Sequence, residues 1–310
     1  MAEHNVTLRV REVSKRFGDF SAVEDLSFDV RAGRVFGFLG PNGAGKTTTI
    51  RMIVGITVPD EGSIELFGQK ISPALQDRIG YLPEERGLYK KMKIADQLRY
   101  FAALKGVPGA EADKKIDFWL DRMNLGEWKK KKTTDLSKGM QQKVQFISTV
   151  LHDPDLLILD EPFSGLDPLN VEFLIDVISE FKTKEKTIIF STHLMETAEK
   201  LCHDILLINK ARKVISGSLR QVKESYGRNL IALRVEGGEQ TLNDPAVVAK
   251  TDAHADEMIV HLADGTDPQL LLKRLVESGA VVSKFEKVEA SLNDIFIDKI
   301  RGSHESDVQR

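Results

Sequence analysis

A glycine-rich stretch ahead of a lysine is the feature of this sequence with the clearest chemical potential. Residues 40–47 read GPNGAGKT and fit the phosphate-binding pattern GxxxxGK[ST] at every fixed position. Glycine lets successive backbone N–H groups point at an anion without side-chain clashes. Lys46 would add a full charge for the β- and γ-phosphates, and the Thr47 hydroxyl would be a ligand for Mg²⁺. The residues expected to contact a nucleotide here are Gly40, Pro41, Asn42, Gly43, Ala44, Gly45, Lys46, Thr47 and Thr48.

Two acidic residues follow a short apolar run. Residues 156–162 read LLILDEP, which puts Asp160 and Glu161 directly after four apolar residues. Acids at the end of a buried strand are costly unless a cation or a reaction uses them. We expect Asp160 to hold the Mg²⁺ shell and Glu161 to polarise an attacking water. The alternative is an acidic helix cap, which the glycine loop elsewhere in the chain makes less attractive.

Strands and helices alternate around these residues. Short apolar runs at 35–39, 156–159 and 187–190 predict buried strands, and helical patterns occupy 47–56 and 170–182. Strand, helix and strand in this order imply a parallel sheet with helices on its faces. Ligands bind beyond the carboxyl ends of such strands, where both the glycine loop and the acidic pair fall.

The remaining segments complete an α/β fold class with additions. Alternating residues at 6–13 and 26–31 predict half-buried strands of an antiparallel β subdomain, and residues 92–152 predict a helical insert. We expect a phosphate-loop core over residues 1–220. A small α+β domain is expected over 222–302, followed by a polar tail at 303–310.

Bulk composition excludes several classes of protein. The chain has 310 residues, 41% of them hydrophobic and 29% charged, with a net charge of −3 and Cys202 as its only cysteine. A single thiol cannot form an internal disulfide, and the near-neutral charge argues against a nucleic-acid partner. No apolar stretch approaches a membrane span, and the N-terminus lacks the apolar core of a signal peptide. We therefore expect a soluble, cytoplasmic protein that meets a membrane only through a partner.

Three further motifs carry a family resemblance. LSKGMQQK at 136–143 precedes the acidic pair, SGLD at 164–167 follows it, and His193 comes after the strand TIIFST. With the glycine loop, this order of motifs resembles the ATPase subunit of ATP-binding cassette (ABC) transporters over residues 6 to about 217. The C-terminal EASLNDIFIDKI resembles the small extra domain on ATPases of the drug- and sodium-export branch.

The resemblance implies roles for individual residues. Phe17 would stack on adenine, His193 would sense the γ-phosphate, and Ser137 and Gly139 would contact the γ-phosphate held by a second protomer. Asp167 would lie in the loop that crosses the interface between the two protomers. Plainer alternatives are a core aromatic for Phe17, a structural histidine, and a helix N-cap for Ser137.

This sequence departs from the family pattern at two places. The usual signature LSGGQ reads LSKGM here, with Lys138 and Met140 replacing glycine and glutamine. The backbone amides at Ser137 and Gly139 survive these changes, so we expect function to survive. Glu84 stands where the family has a glutamine that ligates Mg²⁺. A carboxylate can also bind Mg²⁺, so Glu84 stays in the expected metal set with Thr47 and Asp160.

The implied function is ATP hydrolysis coupled to transport. The chain would bind ATP and Mg²⁺, pair with a second ATPase subunit, most simply a copy of itself, and drive a membrane-spanning permease in an exporter. Glu161, His193 and Lys46 would be its catalytic residues. It would lie on the inner face of the cell membrane through that permease, with residues 88–105 as the docking segment. The competing hypotheses are a soluble ABC-type ATPase of translation or DNA repair, and a nucleotide sensor that does not hydrolyse.

The lysines of WKKKK at 128–132 would touch anionic lipid or simply be solvated.

Overall fold

The structure is a computed structural model that describes residues 6–85, 87–226, 229–254 and 257–299. The chain divides into two compact units, the first ending at Leu219 and the second beginning at Arg220. The expected polar tail at 303–310 lies outside the described residues.

The described part of the first unit contains sixteen β-strands and α-helices. In chain order they are β1 (Val6–Phe17), β2 (Phe20–Arg31), β3 (Val35–Leu39), α1 (Lys46–Ile53), β4 (Glu61–Leu66), β5 (Gln69–Lys70), β6 (Ile79–Leu82), α2 (Ile94–Leu104), α3 (Gly109–Arg122), α4 (Lys138–Val150), β7 (Leu156–Asp160), α5 (Pro168–Thr183), β8 (Thr187–Thr192), α6 (Met195–Leu201), β9 (Asp204–Asn209) and β10 (Arg212–Ser218).

A six-stranded sheet forms the centre of this unit. Its strand order is β10-β9-β3-β8-β7-β6, and the five strands from β9 to β6 run parallel. Every residue of β3, β7 and β8 is buried, which is why their sequences read as continuous apolar runs. This is the parallel sheet predicted from the alternation of strands and helices, and it brings the ends of β3 and β7 to one edge.

A second, antiparallel sheet packs into the same core. Its order is β2-β1-β4-β5, and its inward residues, among them Leu8, Val10 and Leu26, join the hydrophobic cluster that contains Phe38 and Ile50. β1 extends to Phe17, beyond the predicted end at residue 13, because β1 and β2 pair as far as Phe17 and Phe20.

The predicted helical insert consists of α2, α3 and α4. Within residues 92–152 the described backbone has no strand, only an isolated antiparallel bridge between Lys93 and Lys132. Trp119 of α3 stacks on Phe181 of α5 with ring centroids 5.7 Å apart, which joins the insert to the helices of the central sheet.

The second unit is an α+β assembly. Helix α7 (Leu219–Tyr226) starts at the boundary, and the elements that follow are β11 (Leu230–Glu236), α8 (Glu239–Leu242), β12 (Val248–His254), β13 (Glu257–Leu262), α9 (Pro268–Glu277), β14 (Val281–Val288) and a helix α10 at residues 292–299. The antiparallel sheet has the order β12-β13-β11-β14. Leu271 and Leu275 of α9 fill its core against Ile231 and Leu233.

Candidate functional site

The glycine loop connects β3 to α1, as the sequence predicts. Gly40 and Gly45 have φ angles of 149° and 107°. A Cβ at Gly40 would lie 2.2 Å from the carbonyl oxygen of Ile208, and one at Gly45 would lie 2.3 Å from that of Ala22. Only glycine fits these two places, because the loop backbone passes directly against neighbouring strands. The N-terminus of α1 begins immediately at Lys46, where its exposed amides favour an anion.

Lys46, Glu161 and His193 form one connected cluster. The Lys46 ammonium donates to the carbonyl oxygens of Gly40 (2.8 Å) and Pro41 (3.2 Å), and it lies 3.1 Å from Oε1 of Glu161. The other carboxylate oxygen, Oε2, is 3.0 Å from Nδ1 of His193. Lys46 and Glu161 are each 5% exposed. A buried carboxylate thus lies between a lysine and a partly exposed histidine, beside the loop.

Ser191 ties the acidic pair to the neighbouring strand. Its hydroxyl donates to Oδ1 of Asp160 (2.5 Å) and accepts a hydrogen bond from the Glu161 N–H (2.9 Å). Glu161 has a φ angle of 46°, a left-handed conformation that costs a non-glycine residue about 1–3 kcal/mol. The hydrogen bond from the Glu161 N–H to Ser191 helps to hold this strained backbone. Nothing in the sequence TIIFST distinguishes Ser191 from a strand residue without a function.

Asp160 is fully buried and one of its oxygens is unsatisfied. Burial raises the pKa of Asp160, the hydroxyls of Ser191 and Thr47 oppose that shift, and the charges of Glu84 and Glu161 add to it. Oδ2 of Asp160 is buried without a hydrogen-bond partner among the described residues. A divalent cation would satisfy this oxygen and offset the cost of burying the charge.

The groups around Asp160 fit a Mg²⁺ ion whose coordination is completed by substrate phosphates and water. The described residues contain no cluster of three or more His, Cys, Asp and Glu side chains able to hold a metal. Thr47 and Glu84 line the same cavity of about 340 Å³ as Lys46 and Glu161. Mg²⁺ is commonly bound by one or two carboxylates together with substrate phosphates and water, and this arrangement leaves room for both.

Two phenylalanines stand opposite each other beside the loop. Phe17 and Phe20 are paired across the tip of β1 and β2 and are 54% and 62% exposed. Phe20 lines the cavity, whereas Phe17 carries the Lys15 ammonium 5.6 Å from its ring centroid. A core position for Phe17 is therefore wrong, and Phe20 is a second aromatic at the site that the motif pattern did not indicate.

The LSKGM segment forms the N-terminus of α4. The Ser137 hydroxyl accepts a hydrogen bond from the Met140 N–H at 3.3 Å and caps the helix. Ser137 and Lys138 are exposed, and none of Ser137, Lys138 and Gly139 is among the described residues that line the loop cavity. This helix end is therefore not part of the cavity beside the loop of the same chain.

Two glutamines of α4 hold the loops that carry the acidic residues. Gln145 donates from its amide nitrogen to the carbonyl oxygens of Pro83 and Glu85, both at 3.1 Å, which are the residues on either side of Glu84. Gln142 donates to the carbonyl oxygen of Pro162 at 3.2 Å, one residue beyond Glu161. Both side chains are buried. The apolar periodicity of α4 gave no sign of these contacts.

Comparison with known proteins decides the family. The family model "ABC transporter" matches residues 23–164, and the model for the C-terminal domain of DrrA1-3-like ATP-binding proteins matches residues 217–300. Over 298 residues the chain is 44% identical to the uncharacterized ABC transporter ATP-binding protein YhaQ of Bacillus subtilis, which covers 96% of this chain and all of that protein. The chain belongs to the ABC transporter ATP-binding proteins. It is an ATP-hydrolysing subunit of this family.

Other relatives of this ATP-binding subunit agree. The chain is 32% identical to the Nod factor export ATP-binding protein I of Ralstonia nicotianae, across 94% of this chain and 92% of that protein. A solved structure described as the ATP binding subunit of an ABC transporter superposes with a TM-score of 0.66 and 32% identity, over 71% of this chain and 93% of the other. These similarities favour transport over translation or DNA repair.

Among the residues that the structure describes, no helix combines the length and the apolar character needed to cross a membrane.

Proposed function

We propose that this subunit hydrolyses ATP between two copies of itself and thereby drives a membrane-spanning permease in the direction of export. The observation that carries the proposal is the cluster of Lys46, Glu161 and His193 beside the glycine loop, with Glu161 placed between the other two at 3.1 and 3.0 Å. A carboxylate in this position can accept a proton from an attacking water.

Each residue of the cluster has a separate role in this proposal. Lys46 turns its ammonium from the loop carbonyls to the β- and γ-phosphates, where a fixed positive charge stabilises the transition state. Glu161 orients and polarises the water, and His193 holds the carboxylate while its exposed edge faces the γ-phosphate. The amides of Gly43 to Thr48 and the N-terminus of α1 bind the remaining phosphate oxygens.

The metal would be held by Asp160, by the Thr47 hydroxyl and by Glu84. Mg²⁺ would supply charge neutralisation of the β- and γ-phosphate oxygens. Asp160 contributes the unsatisfied Oδ2, and Ser191 fixes the orientation of the carboxylate through Oδ1. Glu84 would bring a second carboxylate to the metal, and its charge would also lie near the γ-phosphate.

Adenine would stack on the aromatic pair at the tip of β1 and β2. Both rings are exposed and paired across this tip, and Phe20 lines the loop cavity. An exposed ring gains free energy when a flat base covers it. We assign the stacking role to Phe17, as the motif pattern predicts, with Phe20 as the ring closer to the phosphates.

The signature segment would act on the ATP of a second subunit. Ser137 and Gly139 lie at an exposed helix N-terminus that the chain's own loop does not use. The amides of this helix end would donate to a partner's γ-phosphate, and the positive end of the α4 dipole would also favour that anion. One chain carries both the loop and the signature, so two copies of the same chain would complete both sites, with Asp167 at the crossing between them.

The permease would place the subunit at the inner face of the cell membrane. The named relatives include export ATP-binding proteins, which supports export as the direction, and residues 88–105 supply the proposed docking segment. The α+β unit after Leu219 would support the dimer. No nucleic-acid partner is proposed.

Two measurements test this proposal. Phosphate release by the purified subunit should require both ATP and Mg²⁺ and should disappear in Lys46→Ala. Purification from solubilised membranes should recover an integral membrane protein with the wild type. A subunit that releases no phosphate with ATP and Mg²⁺, or that never associates with an integral membrane protein, would overturn the transport function.

A further inference from the structure

Two lysine-rich segments that are distant in sequence lie side by side in the first unit. Residues 90–93 read KKMK and residues 129–132 read KKKK. Lys93 and Lys132 form an antiparallel bridge, and the carbonyl oxygens of Lys131 and Lys129 accept hydrogen bonds from the N–H groups of Ile94 (2.9 Å) and Ala95 (3.1 Å). The fold thus joins two lysine runs into one surface.

Buried polar contacts beside the two lysine runs hold them together. The Gln97 amide nitrogen donates to the Thr133 hydroxyl at 2.6 Å, and that hydroxyl donates to the carbonyl oxygen of Tyr89 at 3.2 Å. The Tyr89 N–H donates in turn to Oε1 of Gln97 at 3.3 Å. Gln97 is fully buried and Thr133 is 2% exposed. The closed network connects the residue before the first lysine run to the residue after the second.

Six lysines of this surface carry charge that the described residues do not neutralise. We define the lysine surface as the exposed residues Lys90, Lys91, Lys93, Lys130, Lys131 and Lys132. None of the six forms an ion pair with a described residue, whereas Lys129 is partly buried and pairs with Asp117. Like charges on one surface repel one another, and an anionic partner would offset that repulsion. The chain as a whole has a net charge of −3, so the positive field is local.

Exposed tyrosines border the lysine surface. Tyr89, directly before Lys90, is 49% exposed, and Tyr100 is 43% exposed, with the two ring centroids 5.8 Å apart. Tyrosine has an apolar ring and a polar hydroxyl, a combination suited to the level of lipid headgroups. Lysines beside such rings match an anionic bilayer in both charge and polarity, which a free phosphate would not.

The choice of lysine over arginine also favours lipid over nucleic acid. Base and phosphate recognition in nucleic acids relies strongly on the bidentate guanidinium of arginine. The arginine nearest in the described sequence, Arg99, is held by Asp113 at 2.6 Å and Asp96 at 3.2 Å. Lysines act as hydrated point charges and are attracted to a headgroup layer without a fixed geometry.

We propose that the lysine surface binds the anionic headgroups of a lipid bilayer directly. This would give the isolated subunit a contact with the membrane that needs no permease, at a surface that shares Lys90, Lys91 and Lys93 with the proposed docking segment 88–105. The inference uses the proposed function only to place the chain near a bilayer, and it concerns a different part of the molecule from the nucleotide site.

Sedimentation of the isolated full-length protein with vesicles tests this proposal. The protein is mixed with vesicles of phosphatidylcholine containing about one third phosphatidylglycerol, and separately with pure phosphatidylcholine. We expect binding to the anionic vesicles alone, and we expect it to weaken as salt is raised from about 0.05 M to about 0.5 M, because exposed charges are screened.

Two triple variants and a matched control locate the binding surface. One variant combines Lys90→Gln, Lys91→Gln and Lys93→Gln, and the other combines Lys130→Gln, Lys131→Gln and Lys132→Gln. The control combines Lys70→Gln, Lys182→Gln and Lys287→Gln, at exposed lysines elsewhere. Each variant removes three positive charges and takes the net charge from −3 to −6, so only the location of the change differs.

The expected loss can be estimated. A lysine near an anionic surface contributes a factor of about five to the partition coefficient, so either surface variant should bind about a hundredfold more weakly than wild type. The control should bind less than tenfold more weakly. Phosphate release by all three variants should match wild type, which shows that they fold and separates this result from a failure of the nucleotide site.

Three results would overturn the proposal. Equal binding to anionic and neutral vesicles would exclude headgroup charge as the cause, and a control as weak as the surface variants would assign the effect to net charge. Absence of binding to anionic vesicles, with retention of single-stranded RNA that the surface variants lose, would make the lysine surface a nucleic-acid site instead.

Discussion

The ammonium nitrogen of Lys46 lies 3.1 Å from Oε1 of Glu161, although Lys46 begins α1 after β3 and Glu161 follows β7. Both are buried, and the same carboxylate reaches His193 through Oε2. Because β3 and β7 belong to one parallel sheet, their carboxyl ends place both side chains at the same edge. Strands of one parallel sheet, with only β8 between them, therefore explain how residues more than a hundred positions apart form one cluster.

Replacement of Glu161 by glutamine should separate catalysis from binding. Glutamine keeps the size and the contact with Lys46 but cannot accept a proton from water, so turnover should fall by about 10²–10⁴-fold. Phosphate release gives the turnover and a fluorescent ATP analogue gives the affinity, which should change little. Full turnover in Glu161→Gln would exclude this carboxylate as the base.

Loss of the Ser191 hydroxyl should lower the free energy of unfolding. Ser191→Ala leaves Oδ1 of Asp160 and the N–H of Glu161 without their partner, and an unsatisfied buried group costs about 1–3 kcal/mol of unfolding free energy. Urea denaturation measures the change in stability. Ser179→Ala is the matched control, because that hydroxyl bonds only to the carbonyl oxygen of Ile175 in its own helix. Equal losses in both variants would show that Ser191 has no special part in the site.

The burial of Asp160 should make stability depend on pH. Burial raises the pKa of this carboxyl above its ordinary 3.8. Between pH 3.8 and the raised pKa, the folded state keeps a proton that the unfolded state has lost. Stability from this group therefore falls as pH rises through that window. Asp160→Asn, which does not titrate, should be more stable than wild type at neutral pH without nucleotide or Mg²⁺.

The pH dependence of the stability of Asp160→Asn provides a control for this prediction. Its gain in unfolding free energy should shrink as pH is lowered toward 3.8, because the buried wild-type carboxyl takes up its proton above that pH. Urea denaturation at a series of pH values measures the difference. A variant less stable than wild type at every pH would show that burying the Asp160 carboxylate does not destabilise the folded protein. Turnover should be lost in this variant, since the metal loses a charged ligand.

Gln145 should control the response to Mg²⁺ through Glu84. Its amide holds the carbonyl oxygens of Pro83 and Glu85 on both sides of that residue. Gln145→Ala frees the loop, and we expect about a tenfold rise in the Mg²⁺ concentration that gives half-maximal phosphate release, comparable to the loss of an outer-shell partner.

A neighbour in the same helix is the control for Gln145. Gln141 also donates to two carbonyl oxygens, those of Thr133 and Leu136, but it does not contact the Glu84 loop. Gln141→Ala should leave the Mg²⁺ requirement at the wild-type value. If both variants raise the requirement equally, Glu84 is not positioned by Gln145.

The sequence indicated the parts of the site that depend on order along the chain. GPNGAGKT, LSKGM and LLILDE each contain an ordered pattern of residue types, and the alternation of apolar runs and helical periods predicted the parallel sheet. Strand β6 was not predicted, because Gly80 interrupts the apolar residues of its IGYL sequence.

Contacts between distant segments could not be predicted from a single sequence. Ser191 reads as an ordinary residue of a buried strand, and Gln145 reads as a polar residue in an amphipathic helix. Their roles arise only because the sheet and α4 bring them to Asp160 and to the Glu84 loop. Phe20 shows the same limit, since it reaches the loop cavity through the pairing of β1 with β2.

The central claim is that ATP is held between two chains, and the mass of the nucleotide-bound protein tests it most directly. Light scattering of Glu161→Gln with saturating ATP and Mg²⁺ should give twice the monomer mass of 34.7 kDa. The double variant Glu161→Gln with Ser137→Arg should remain monomeric, because arginine blocks the helix end offered to the partner's phosphates. A monomer in the single variant, or a dimer in both, would contradict the account.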